Sequence, residues 1–428
     1  MKRIIVVLAA LIISAGSAYS QPSADLIARI NQSAALISSN PAGLDTIFSD
    51  DFLNQVPVQQ LTTIYSEYFE KYGGLVGWKF LDSSKIWKAK ARLMLSKGFL
   101  VDMSIAASET GKHLITGLLF GPGTPQFKTL DDVVTKMSKL RGITGFLAAK
   151  LTGSGTEKIA AWNQDTALAL GSAFKLYVLA TLLKEINSGK RNWTDVIYLD
   201  SASRAFPSGE MHAWPNQSPV TLATAATLMI SISDNTAADL LIHTLGRENV
   251  EAMLRETGNS HASLDIPFLT TLEMFKLKSK GLRLGNEYVQ LTANKQKSFL
   301  TREVANFPRD SVAFGDAVAM INKIEWFASP NDIANLLKYI RDNSTSGEGA
   351  KVRDILSVNP GLPLDKSRWD YIGYKGGSEP GVLNLSFLLR AKSSGQWYVF
   401  TGSWNDTESA LKDADFEGYI ERAIELVQ

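Results

Sequence analysis

The sequence predicts an α+β protein: a small α+β unit, then a larger one in which an antiparallel sheet is flanked by helices and joined to a helical lobe. Three observations predict it. Two helical patterns precede three β-compatible segments. A run of prolines and glycines, Gly121-Pro122-Gly123-Thr124-Pro125, comes next and reads as a linker. Beyond it, strand-like segments stand at both ends of a helical middle, so they can join into one antiparallel sheet.

The elements follow in order. In residues 24–38, Leu26, Ile27, Ile30, Ala34, Ala35 and Ile37 recur at helical spacing, and Asn40-Pro41 closes the segment. A second helical stretch over 59–71 ends at Gly73-Gly74. Strands are expected over 85–95, 99–106 and 113–120, separated by Lys97-Gly98 and Glu109-Thr110-Gly111. The boundary falls within 121–130, which gives a signal segment over 1–20, an accessory domain over 21–125 and a larger domain over 126–428. There, 145–151 and 158–162 read as a hairpin around Thr152-Gly153-Ser154-Gly155. A long apolar helix over 172–186 ends near Ser188-Gly189, and further helices are expected over 221–229, 236–245 and 330–341. Strands over 370–375, 383–391 and 397–402 and a closing helix over 407–427 complete the chain.

Composition narrows the chemistry. The 428 residues carry 44 Lys and Arg against 43 Asp and Glu, a balance that argues against a nucleic-acid binder. With 45% hydrophobic residues the chain can bury a large core. Cysteine is absent, which removes disulfides, thiol nucleophiles and cysteine-bearing metal sites. Lys2 and Arg3, the apolar run from Ile4 to Ile13 and the small residues through Ala18-Tyr19-Ser20 read as a secretory signal. Cleavage near Ser20 and a periplasmic or secreted mature protein are expected. The run is too short to span a bilayer, and no later segment has spanning length.

Three constellations carry chemistry. Ser172-Ala173-Phe174-Lys175 opens the long apolar helix, and a serine and lysine three apart share one face, so the amine can reach the hydroxyl. A lysine there is desolvated, which favours its neutral, basic form. An N-cap is the competing reading of Ser172. A second Ser-x-x-Lys, Ser409 to Lys412, is placed in the closing amphipathic helix as solvated surface. Ser233-Asp234-Asn235 lies between two helical stretches, 61 residues after Ser172, where a helix cap is again the alternative. Lys375-Gly376-Gly377-Ser378 ends an expected strand, with Glu379-Pro380-Gly381 as the turn after it; glycines in a strand mark close approach of another backbone or a ligand.

In this order the three motifs resemble those of the penicillin-recognising serine hydrolases, the family of class A β-lactamases and low-molecular-mass penicillin-binding proteins: S-x-x-K, S-D-N and K-T-G. The resemblance covers residues 130–428. The added N-terminal unit makes the layout similar to the clavulanate-biosynthesis serine hydrolase group, in which a cystatin-like or steroid-isomerase-like domain precedes a β-lactamase-like one. The resemblance implies that Ser172 is the acylated nucleophile and that Lys175 helps remove its proton. Ser233, assisted by Lys375, would pass a proton to the leaving group. Asn235 would position the substrate's amide and hold Lys175, and the N–H groups of Ser172 and Ser378, beside Gly377, would form the oxyanion hole. No cofactor or metal is implied.

Two departures accompany the resemblance. Gly376 stands where the family has Thr or Ser, whose hydroxyl binds a substrate carboxylate. The Glu-x-x-Leu-Asn motif that supplies a deacylating base in class A enzymes is missing, and the nearest acid, Glu273 in Thr270-Thr271-Leu272-Glu273, reads as a helix capping box. The third motif lies 203 residues after Ser172, longer than in a minimal class A enzyme, with the excess over 260–326. The expectation is an exported serine hydrolase acting on β-lactams or small esters and amides. A resistance enzyme, a slow β-lactamase and an esterase all fit it; the alternatives are a D-alanyl-D-alanine peptidase acting on cell-wall peptide and a penicillin-binding sensor. Among the histidines, His113, His212, His243 and His261, no metal-binding spacing occurs, and neither Gly-x-Ser-x-Gly nor Gly-x-Gly-x-x-Gly is present.

Overall fold

The computed structural model describes residues 22–153, 155–279, 281–312, 317–411 and 413–427. The proposed signal segment lies outside them, as does Lys412. The chain forms two compact units that meet in sequence between Gln126 and Phe127.

In the first unit the helices Ala24–Ala35 and Val58–Tyr72 accompany an antiparallel meander of Leu75–Lys85, Lys88–Leu95, Phe99–Ala107 and Ile115–Phe120. Leu26, Ile30 and Ala34, one face of the first helix, share a core with Leu93, Val101 and Met103. The buried Ser33 hydroxyl meets that of Tyr65 at 2.6 Å. The strand Leu75–Lys85 goes beyond the sequence expectation. It is an edge strand with irregular register, and Val76 and Phe80 face outward, so it lacks the alternation that marks a half-buried strand.

The second unit is built on a five-stranded antiparallel sheet in the order Trp369–Glu379, Val382–Ala391, Trp397–Asn405, Ile143–Leu151, Thr156–Trp162. The early hairpin thus joins the late strands through pairing of Ile143–Leu151 with Trp397–Asn405. Both faces of the sheet are covered. Phe146 and Ala148 face a core shared with Phe416 and Ile420 of the helix Asp413–Leu426; Leu147, Ala149 and Leu151 face one shared with the helices Lys175–Asn187 and Pro330–Asn343. Burial on both sides makes such strands read as unbroken apolar runs. The helix Lys175–Asn187 is buried nearly all round, as its apolar composition requires.

Three sequence expectations are corrected. Ser172 does not sit in the α-helix: Gly171–Phe174 form a 3-10 turn and the α-helix starts at Lys175. The strand expected to stop at residue 375 continues to Glu379, because Gly376, Gly377, Ser378 and Glu379 keep pairing with Leu385 through Val382. The closing helix starts at Asp413 rather than near 407, since Asp406 gathers Glu408 N, Ser409 N and the Ser409 hydroxyl into a turn that holds the chain out of the helix. Ser409 therefore lies before the helix, not on its face. The long stretch over 260–326 folds largely into short helices, among them Thr271–Leu277, Arg283–Tyr288 and Ala293–Phe299.

Candidate active site

Segments distant in sequence converge on one cavity of about 660 Å³. Among them are the 3-10 turn at Ser172, the loop at Ser233, the edge strand Trp369–Glu379 and the helix Thr271–Leu277. Ser172, Ser233, Asn235, Lys375, Gly377 and Ser378 all line it, and Lys175 stands behind Ser172, fully buried.

Lys175 Nζ donates to the Ser233 carbonyl at 2.6 Å and to Asn235 Oδ1 at 2.7 Å, and lies 3.3 Å from Ser172 Oγ and 3.2 Å from Ser233 Oγ. Asn235 Nδ2 donates to the Phe206 carbonyl at 2.9 Å, which fixes the orientation of the amide and turns Oδ1 toward the lysine. Burial, reinforced by the Lys375 charge, holds the Lys175 amine well below its ordinary pKa. A neutral amine has two hydrogens and one lone pair. The two shortest contacts are to pure acceptors and use both hydrogens, so the lone pair is left for the Ser172 hydroxyl.

Lys375 Nζ lies 3.0 Å from Ser233 Oγ, which therefore sits between two amines. Burial pushes Lys375 down to about 7. Ser233 reaches this position through a left-handed backbone, φ 57°, a conformation that costs a non-glycine residue about 1–3 kcal/mol. Its neighbour Asp234 over-determines the loop: the buried carboxylate accepts from Glu210 N, Met211 N and Ala237 N at 2.7 to 2.9 Å. Serine, aspartate and asparagine are thus not merely a cap. Asp234 caps the helix Asn235–Leu245, and its two neighbours face Lys175.

The glycines of the third motif have a steric cause. A Cβ on Gly377 would meet the Leu170 carbonyl oxygen and stand 2.5 Å from Ser172 N and 2.6 Å from Ala173 N, all backbone atoms. Gly171, at φ +51°, is confined from the other side, since a Cβ there would stand 2.9 Å from Ser378 N. Strand and turn consequently touch backbone to backbone, which brings the Ser172 and Ser378 segments together. At Gly376, where a Thr hydroxyl was missed in the sequence, the Tyr374 hydroxyl occupies the space a side chain would need.

Glu273 does not enter the cavity. It closes a capping box with Thr270 and pairs with Arg247 at 2.7 Å. Thr271 lines the cavity instead, anchored by Asp239, which accepts from Thr271 N, Thr271 Oγ1 and Leu272 N at 2.7 to 2.9 Å. Charged lining residues that went unassigned in the sequence include Lys278, Glu325 and Glu379. Lys278 Nζ donates to both carboxylates, at 3.1 Å to Glu325. Nothing in the sequence marks them, because they lie far apart and meet only when strand, loop and helix end converge.

Residues 127–360 match the beta-lactamase enzyme family, a span that holds Ser172, Lys175, Ser233 and Asn235, with Lys375 beyond it. Solved structures of similar fold include that of PBP-A, at 16% identity and TM-score 0.48, covering 69% of this chain and 93% of that one. A beta-lactamase from Sphaerobacter thermophilus is 20% identical at TM-score 0.47 (69% and 94% covered). One from Xanthomonas campestris is 17% identical at 0.49 (70% and 97% covered). The family match spans more than half of the sequence, and the chain belongs to the beta-lactamase enzyme family.

Proposed function

We propose that the protein is an exported serine hydrolase of the class A β-lactamase type, acylated on Ser172 by β-lactams or small esters and amides and then hydrolysed. The observation that carries this is the buried amine of Lys175 at 3.3 Å from Ser172 Oγ, with both of its hydrogens engaged elsewhere. Lys175 takes the Ser172 proton as Oγ attacks the carbonyl carbon. The oxyanion forms against the N–H groups of Ser172 and Ser378, donors worth on the order of 3 kcal/mol each. Ser233, between Lys175 and Lys375, delivers a proton to the leaving nitrogen or oxygen. Asn235 holds Lys175 and presents its amide to the substrate.

The N-terminal pattern of Lys2, Arg3 and an apolar run supports export to the periplasm or beyond, with cleavage near Ser20. No helix among the described residues is long and apolar enough to cross a membrane. The first unit, helices followed by an antiparallel meander, is read as cystatin-like.

Glu273 is held outside the cavity and Thr271 stands in its place, which favours a second reading: a D-alanyl-D-alanine peptidase or a slowly turning-over penicillin-binding sensor. Incubation of the mature chain with a penicillin, a cephalosporin and a chromogenic ester, followed by intact mass and hydrolysis, separates the readings. A Ser172-dependent adduct that decays supports the hydrolase, and a long-lived adduct supports the peptidase or sensor. No adduct and no turnover with any of the three refutes the nucleophile assignment.

A further inference from the structure

Along the strand Trp369–Glu379, alternate side chains face the Ser172 turn. Gly377 lies against the turn itself, and Lys375 and Glu379 stand one alternation to either side, each about 7 Å along the strand from Gly377. The nucleophile turn is therefore flanked on one side by the amines of Lys375 and Lys175 and on the other by a carboxyl group. Glu379 lines the cavity and is about 14% exposed. Among the described residues, the titratable groups facing it are Lys278, at the end of the helix Thr271–Leu277, and Glu325, from the segment before Trp326. Glu325 is closed off from solvent: Oε1 accepts from Lys278 at 3.1 Å, and Oε2 accepts from Gly171 N and Trp326 N at 3.2 Å. Gly171 is the residue before Ser172, so this cluster abuts the nucleophile's own backbone.

We propose that Glu379, backed by Glu325 and Lys278, is the base that activates the water hydrolysing the acyl-enzyme, in place of a glutamate on the helix Thr271–Leu277. The inference rests on acylation of Ser172. The step balances without a co-reactant. Glu379 takes one proton from water while the water oxygen bonds to the acyl carbonyl carbon. The oxyanion collapses, the bond from that carbon to Ser172 Oγ breaks, and Oγ recovers the proton as the carboxylic acid leaves.

The cluster's charge sets when this works. Two carboxyls share one ammonium in a buried site, and burial with the neighbouring Glu325 raises Glu379 to about 8, partly offset by Lys278. Below that pH Glu379 holds its own proton and cannot take one from water. Above it, uptake of a proton brings the cluster to neutrality. Deacylation is thus expected to quicken as pH rises through about 8.

The test is the lifetime of the penicillin adduct, followed by intact mass between pH 6 and 9, in the full mature chain and in Glu379→Gln, which keeps the size of the side chain and its hydrogen bonds. The expected result is adduct formation within about threefold of wild type and decay slowed by about 10²-fold or more, with the pH dependence lost. Unchanged decay in the variant, or formation and decay falling together, overturns the proposal. So does wild-type decay that is independent of pH, or a wild-type adduct that never decays; both are read without any variant. Absence of a wild-type adduct refutes the acylation of Ser172 itself and this inference with it, whereas an adduct whose decay ignores Glu379 refutes only the inference.

Discussion

Gly377→Ala tests whether the backbone contact between strand and turn builds the site. The added methyl would stand 2.5 Å from Ser172 N and 2.6 Å from Ala173 N, against ordinary contacts of 3.4 Å and more. No flexible side chain can yield, so the turn must move away from the strand by about 1 Å. A displacement of about 1 Å at a reacting group costs about 10²-fold in rate, and loss of one oxyanion donor a similar 10² to 10³-fold. Overpacking of this kind also destabilises by about 1–3 kcal/mol. The assay is the rate of adduct formation with a penicillin, with circular dichroism to confirm folding and Gly155→Ala, which meets nothing within 4 Å, as control. A fall of about 10²-fold or more in the variant, with the control unchanged, is expected. Acylation of folded Gly377→Ala within about threefold of wild type would refute the steric argument and the oxyanion hole built on it.

Lys175→Met should remain folded by circular dichroism and form adduct about 10² to 10⁴-fold more slowly, the usual worth of a positioned base; an unimpaired rate would remove Lys175 from proton transfer. Lys375 carries a linkage prediction. Its amine titrates near 7 in the folded chain against 10.5 when free, so the unfolded chain binds more protons between those values and stability rises with pH across that window, with a constant penalty below it. In Lys375→Met the rise should be shallower by up to about 1.4 kcal/mol per pH unit, read from urea unfolding at pH 7 to 10; identical slopes would contradict the burial argument. Glu273→Ala should lose about 1–2 kcal/mol of stability with its cap and ion pair while adduct formation and decay stay within about twofold; a selective rise in adduct lifetime would instead make Glu273 the missing base.

How far the sequence reached depends on how local each signal was. The segments at 145–151 and 383–391 could be read as strands, and Ser172, Lys175, Ser233 and Lys375 stood in motifs whose order could be read directly. The edge strand Leu75–Lys85 escaped because its outward apolar residues break the alternation. The end of the third-motif strand was misplaced because Gly376 and Gly377 look like a turn, although their role is to let a second backbone approach. Glu379 was assigned to that turn for the same reason.

The sequence alone determined the chemistry on offer: no thiol, a serine three residues before a lysine, and a triplet and a glycine-bearing motif to meet them. Motif spacing suffices for this, since a short turn fixes which side chains share a face. Only the tertiary structure decided that Ser233 stands between two amines, that Lys175 is fully buried, and that Lys278, Glu325 and Glu379 gather on the far side of the nucleophile. Those properties depend on burial and on distances between segments up to about 200 residues apart, and both are set by how strand, turn and helix pack.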